Sequence, residues 1–281
     1  MLPRPLFAII ALACASLACA EPQIERLATG FRFVEGPTQS PVDGAVYFSD
    51  IPDRKVHRWD PKTSETSVFL EDSGGSNGLL FAPDGTLFLC QDKSRRLAMR
   101  SPDGELTVLA DSYEGGKLNS TNDLWIDPQG GVYFTDPKYG SKAGLEQDGE
   151  HVYYLSPDHQ TLTRVANDLV RPNGIVGTPD GKTLYIADHG DGKTWKYAIT
   201  ADGTLHDKTL FADQPSDGMA LDAAGNVYLT HDGVDVYSPD GELITSIILP
   251  ERPANVTVIG EDPVTLFVTA RKSVYRVTLE H

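Results

Sequence analysis

The sequence predicts an all-β protein: a six-bladed β-propeller with four antiparallel strands per blade, its N-terminal strand closing the last blade. Three observations predict it. One strand–turn–strand pattern is written six times along the 281 residues. The copies recur at a spacing near 40 to 50 residues, as expected when each repeat is one four-stranded blade. No stretch beyond the first twenty residues carries a convincing helical period.

The fourth copy shows the pattern most fully. Arg171 to Asp188 holds an apolar strand (Gly174 to Gly177), a Pro179-Asp180-Gly181 turn and a second strand (Thr183 to Ala187). Proline presets φ and glycine accepts φ > 0, so the turn has a mechanism. The second strands are Ala45-Val46-Tyr47-Phe48, Leu87-Phe88-Leu89, Val132-Tyr133-Phe134, Leu184-Tyr185-Ile186, Val227-Tyr228-Leu229 and Leu266-Phe267-Val268. Their central members fall at 47, 88, 133, 185, 228 and 267, giving spacings of 41, 45, 52, 43 and 39. Third strands follow at Val56–Trp59, Leu97–Arg100, Val152–Leu155, Thr194–Tyr197, Val234–Tyr237 and Val274–Val277. The sixth copy has no fourth strand of its own. Ile24 to Leu27 precede the first copy and are expected to fill that place, which removes a sheet edge.

The first twenty residues stand apart. Arg4 supplies a positive start, Leu6 to Leu17 is apolar, and Ala18-Cys19-Ala20 is a small-residue cleavage site. The reading is a secretory signal, residues 1–20, too short for a membrane span, followed by one propeller domain over residues 21–281. Cleavage after Ala20 implies a periplasmic or secreted protein. It takes away one arginine and no acid, moving the formal charge from -16 to -17. Such an acidic chain argues against nucleic acid or an anionic membrane surface as a partner. A monomer or weak dimer is expected. Beyond the signal only Cys90 remains, so no internal disulfide is possible; its place in an apolar run marks it as a buried small hydrophobe.

The copies also share a polar position. Glu35, Asn77, Asn122, Asn173, Asp217 and Asn255 each stand 11 or 12 residues before the central residue of the second strand. First strands of a propeller line the central channel in one direction, so equal register means equal height. Asn or Asp before Gly is by itself a common turn former. The set is not explained that way, because four of the seven asparagines beyond the signal fall in this register. Glu35 and Asp217 would converge on a narrow channel, where two carboxylates repel unless a cation lies between them. A ring of oxygen donors without Cys or His selects a hard divalent ion. Ca²⁺ comes first, with Mg²⁺, Mn²⁺ or Zn²⁺ as alternatives. The loops after each second strand return to the same mouth, bringing Asp50, Asp92, Asp136 with Tyr139, Asp188 with His189, His231 with Asp232, and Arg271. The longest, Pro137 to Glu150, is a candidate lid or pocket wall.

On this frame the sequence resembles the senescence marker protein/gluconolactonase/regucalcin family. Glu35-Gly36-Pro37, Asn173-Gly174 and Asp217-Gly218 match its three metal-ligand signatures in order and spacing. Leu118 to Asp123 and Tyr133 to Gly140 resemble its bacterial gluconolactonase branch, as do Pro215 to Met219 and Arg252 to Asn255. The resemblance implies a divalent-metal lactonase acting on a small sugar lactone. It assigns Glu35, Asn173 and Asp217 to the ion, Asp217 to proton transfer as well, and Asn122 to the substrate; Tyr139 and His189 on the rim join Asn122 as substrate contacts. Animal members carry an Arg two residues before that Asn, where this chain has Ser120. Rival readings are an arylesterase or organophosphatase on the same frame, and a non-catalytic sugar-binding propeller. No G-x-S-x-G nucleophile elbow is present.

Overall fold

The computed structural model describes residues 21–280, so the expected signal segment lies outside the described residues. The described chain is built from strands and turns, with six four-stranded antiparallel sheets. Blade 1 runs Val34–Gln39, Val46–Asp50, Lys55–Asp60 and Glu65–Leu70. Blade 2 runs Ser76–Phe81, Leu87–Gln91, Arg96–Arg100 and Leu106–Ala110. Blade 3 runs Leu124–Ile126, Val132–Asp136, His151–Leu155 and Leu162–Ala166. Blade 4 runs Pro172–Gly177, Thr183–Asp188, Lys193–Ile199 and Leu205–Ala212. Blade 5 runs Met219–Leu221, Val227–Thr230, Val234–Tyr237 and Leu243–Ile247. Blade 6 takes Asn255–Glu261, Val264–Ala270 and Ser273–Leu279 from the C-terminal end and Gln23–Thr29 from the N-terminal end, the last pairing antiparallel with Ser273–Leu279. The closure expected from Ile24 to Leu27 is therefore present. An unforeseen two-stranded ribbon, Ser112–Tyr113 with Gly116–Lys117, precedes blade 3. No helix among the described residues is long and apolar enough to cross a membrane.

The blades make a ring because each second strand is buried on both faces. Side chains alternate across a strand, so neighbours along it face opposite blades. Tyr47 packs with Leu79 and Leu87 of blade 2, while Phe48, next along, packs with Phe267 and Val274 of blade 6. Tyr133 faces Ile175 and Leu184 of blade 4; Phe134 faces Phe88 and Leu97 of blade 2. Tyr228 reaches blade 6 and Leu229 reaches blade 4. Each of the six interfaces thus has its own apolar cluster. A buried side chain of this size contributes roughly 1.5–3 kcal/mol. The innermost strands touch in sequence around the axis, and those of blades 1 and 6 complete the circle. Cys90 is fully buried in the cluster between blades 2 and 3.

Candidate active site

The six register residues meet at one mouth of the channel, and local backbone features turn them inward. In blades 1, 2 and 4 the first-to-second-strand ladder skips at Glu35/Thr38, Ser76/Leu79 and Pro172/Ile175. Such a bulge re-aims the side chain it carries. In blades 3 and 5 the entry residue is held by its backbone: Asn122 N–H donates to Thr135 O at 2.9 Å and Asp217 N–H to Thr230 O at 2.8 Å.

The glycine after four of these residues serves packing rather than a turn. A Cβ on Gly36 would lie 2.2 Å from Asn77 O, and one on Gly218 would lie 1.9 Å from Asn255 Cγ. Only a residue without a side chain lets adjoining inner strands come that close. Blade 3 places Asp123 at this position instead. Its buried carboxyl accepts the Leu124 N–H at 2.9 Å, interacts with Asn255, and is pushed up to about 7 by burial.

Two sets of buried side chains fix the ring. Asp50, Asp136 and Asp188 end their second strands, and each accepts two N–H groups from the chain just before an entry residue. The donors are Arg32 and Phe33 for Asp50 (2.9 and 3.1 Å), Asn119 and Ser120 for Asp136 (both 2.7 Å), and Val170 and Arg171 for Asp188 (both 2.8 Å). These three aspartates are braces rather than rim groups facing the channel. The hydroxyls of Ser49 and Thr135 donate at 2.8 Å to the carbonyls of Asn77 and Asn173, each in the next blade; Thr230 donates to Ala254 O at 2.7 Å. The repeat carries a signal for them, since each stands two residues after the aromatic of its second strand.

Within this frame Glu35 and Asp217 face the same cavity from blades 1 and 5. Glu35 is buried, and its carboxyl is raised well above the usual range, first by burial and next by the charge of Asp217. Asp217 is also raised by burial, against the pull of Asn173, His189, Arg252 and Arg271. Asn173 bridges the two sides: its Nδ2 donates to Asp217 Oδ1 at 2.7 Å and to the Tyr139 hydroxyl at 2.6 Å. Asn255 is a buried amide interacting with both Glu35 and Asp123. Two mutually repelling buried carboxylates beside a short amide form a hard-oxygen donor set, and that set fits a divalent cation. Turning the Asn173 amide exchanges its donor for an acceptor.

The cavity above them has a volume of about 560 Å³. Asn77, Ser120, Asn122 and Tyr139 line it, together with Asp92, Lys93, Arg95 and Lys138, none of which the register had marked except Asp92 as a rim residue. It lies off the axis, over blades 1 to 3. His189 stands behind Tyr139, with ring centroids 6.1 Å apart, and burial lowers it so that it is neutral at pH 7. His231 turns to Asp232, with Nδ1 and Oδ2 3.6 Å apart. Tyr139 belongs to the long third-blade loop. That loop is anchored by buried Glu150, which accepts the Lys138 N–H at 3.0 Å and pairs with Lys142 at 2.6 Å. Burial raises the Tyr139 phenol, leaving it a neutral hydroxyl.

A gluconolactonase of Zymomonas mobilis is 32% identical over 288 aligned positions, covering 90% of this chain and 80% of its own. A pentonolactonase of Haloferax volcanii is 27% identical, covering 86% and 82%. The solved structure of a gluconolactonase of Xanthomonas campestris superposes with a TM-score of 0.87 at 29% identity, covering 96% of this chain and 94% of that one. The model of the SMP-30/Gluconolactonase/LRE-like region matches residues 33–272, and this chain belongs to that family.

Proposed function

We propose that this protein is a divalent-cation-dependent hydrolase that opens sugar lactones to aldonic acids, acting in the periplasm or outside the cell. The observation that carries the reading is the meeting of Glu35 and Asp217, two raised carboxylates from blades 1 and 5, in one cavity. Relatives named for lactone hydrolysis across most of the chain support it. Glu35, Asn173 and Asp217 would hold the ion, Ca²⁺ in the first instance. When bound it supplies positive charge that neutralises the acid pair and polarises a carbonyl.

The chain's own groups carry the remaining work. Asn122 and Tyr139 hold the sugar hydroxyls, and the cavity walls keep the ring off bulk water. Asp217 takes a proton from the attacking water as its oxygen bonds to the lactone carbon. It returns that proton to the ring oxygen as the carbon–oxygen bond breaks, leaving a hydroxyl and a carboxyl group. Burial strengthens Asp217 as a base.

The test is a pH-indicator screen of aldonolactones, phenyl acetate and a phosphotriester with native protein and Asp217→Ala, at saturating Ca²⁺, Mg²⁺ or Mn²⁺. Native turnover of the lactones with a fall of about 10³ in the variant is expected, within the usual range for loss of a proton-transfer group. Near-native rates in the variant would remove Asp217 from the mechanism. Faster turnover of the ester or the triester would replace the substrate class.

A further inference from the structure

The cavity is electrically two-sided, and the proposed function uses one side. The acids of the floor come from blades 1 and 5. The opposite wall, from the loops of blades 2 and 3, carries Lys93, Arg95 and Lys138. Three cations on one wall are out of proportion in a chain with 40 acidic and 24 basic residues.

The three cations are not equally available. Lys93 Nζ lies 2.6 Å from Asp92 Oδ2, so its charge is matched within the wall. Arg95 is anchored: its Nε donates to Leu118 O at 2.6 Å and its Nη1 is 3.6 Å from Glu146. Its backbone is held at φ 56°, a left-handed conformation that glycine occupies at the matching Gly192 of blade 4. Lys138 is different. Its backbone N–H is tied to Glu150, but its side chain takes part in no ion pair among the described residues. Neighbouring Lys142 takes Glu150 Oε1. A rigid backbone therefore presents an uncompensated ammonium to the cavity, flanked by a fixed guanidinium.

Resting on the lactonase reading, we propose that this wall receives an anionic group at the end of the substrate remote from the lactone carbonyl. The preferred substrates are then lactones of sugar acids carrying a second acidic group, rather than neutral aldonolactones. Hydroxyl groups need no net charge to be held, and Ser120, Asn77 and Asn122 already offer neutral partners there. The net charge of -16 repels anions at long range, but salt screens that field beyond about 8–10 Å. A preference for anions must then arise from contacts inside the cavity, where a charge-assisted hydrogen bond is about twice as strong as a neutral one.

The experiment compares glucaro-1,4-lactone with glucono-1,4-lactone, which differ by a distal carboxylate against a distal hydroxymethyl. 6-Phosphogluconolactone gives a phosphate arm that separates carboxylate from phosphate recognition. The expected result is a kcat/KM at least tenfold higher for one of the anionic lactones, carried by KM and shrinking as salt is raised. Lys138→Met lowers the charged-to-neutral ratio about tenfold, and Lys138→Arg keeps most of it. The ratio is read within one protein sample, so a loss of folded protein cancels. A native ratio at or below one, or a ratio that Lys138→Met leaves within twofold, overturns the inference while lactone hydrolysis stands. Turnover of none of the three lactones overturns both.

Discussion

Replacing Glu35 by Gln should reverse the stability order of two proteins according to the ion present. Glu35 is buried, and desolvation is the largest influence on its carboxyl, with the Asp217 charge next. Both raise it above its ordinary value of 4.5. The sign follows from linkage. Between the unfolded and folded values the native state holds a proton that the unfolded chain has released, so stability falls as pH rises through that window. In EDTA the native protein should melt lower at pH 8 than at pH 5.5. Glu35→Gln has no charge to bury and should melt above native protein at pH 8.

Calcium should invert the order. An ion bound only by the folded state stabilises it by about 2.7 kcal/mol at a hundredfold excess over Kd. At roughly 2–4 °C per kcal/mol for chains near this size, the native melting temperature should rise by about 5–10 °C. The neutral amide lacks the charge that makes the pair a cation ligand, so the variant should gain much less. Scanning calorimetry at pH 8, with EDTA and with a calcium series, reads both effects. The reasoning fails if Ca²⁺, Mg²⁺, Mn²⁺ and Zn²⁺ all leave the native transition in place. It fails equally if the variant shows the same rise, or melts below native protein in EDTA.

Two further outcomes test the scaffold under the site. Asp123→Asn should stabilise the protein at pH 8 and have little effect near pH 4. Burial moves that carboxyl from 3.8 to about 7, and at about 1.4 kcal/mol per factor of ten the gain has a ceiling of about 4 kcal/mol; urea unfolding at the two pH values measures it, and equal effects at both would refute the assignment. Asp188→Asn should cost about 1–3 kcal/mol, since the amide NH₂ would face the Val170 N–H that Oδ2 now accepts. Because Arg171 and Asn173 follow directly, the calcium-dependent rise in melting temperature should shrink too, and an undiminished rise would show that the brace does not position Asn173.

Much of this was legible because a repeat fixes height. Once the second-strand aromatics set the frame, the entry register placed Glu35, Asn173 and Asp217 on one level, and the lone strand before copy one had a single vacancy to fill. What the repeat does not fix is the direction of a side chain. Asp50, Asp136 and Asp188 sit at strand ends near the rim, yet their carboxylates turn back to the backbone N–H groups of the incoming chain. Asn-Gly and Asp-Gly read as turns in one dimension. Around a narrow axis they are places where one strand's missing Cβ admits its neighbour's backbone or side chain. Asp123 and the Ser49, Thr135 and Thr230 hydroxyls depend on contacts between blades, which no single repeat contains.

The same distinction explains how a nearly sixfold scaffold holds a one-directional site. Six equivalent entry points would give a symmetric ring with no preferred orientation for a ligand. The chain breaks the symmetry by residue type alone: acids enter from blades 1 and 5, amides from blades 2, 3, 4 and 6, and cations from the loops of blades 2 and 3. The longest of those loops is fixed near its start at two neighbouring points, by Glu150 accepting the Lys138 N–H and by the Tyr139 hydroxyl against Asn173. The contact between Tyr139 and the Asn173 amide couples the cavity wall to the floor. Substrate shape is then read by loops that can vary without touching the six apolar clusters between blades, while the acid pair stays where the inner strands place it.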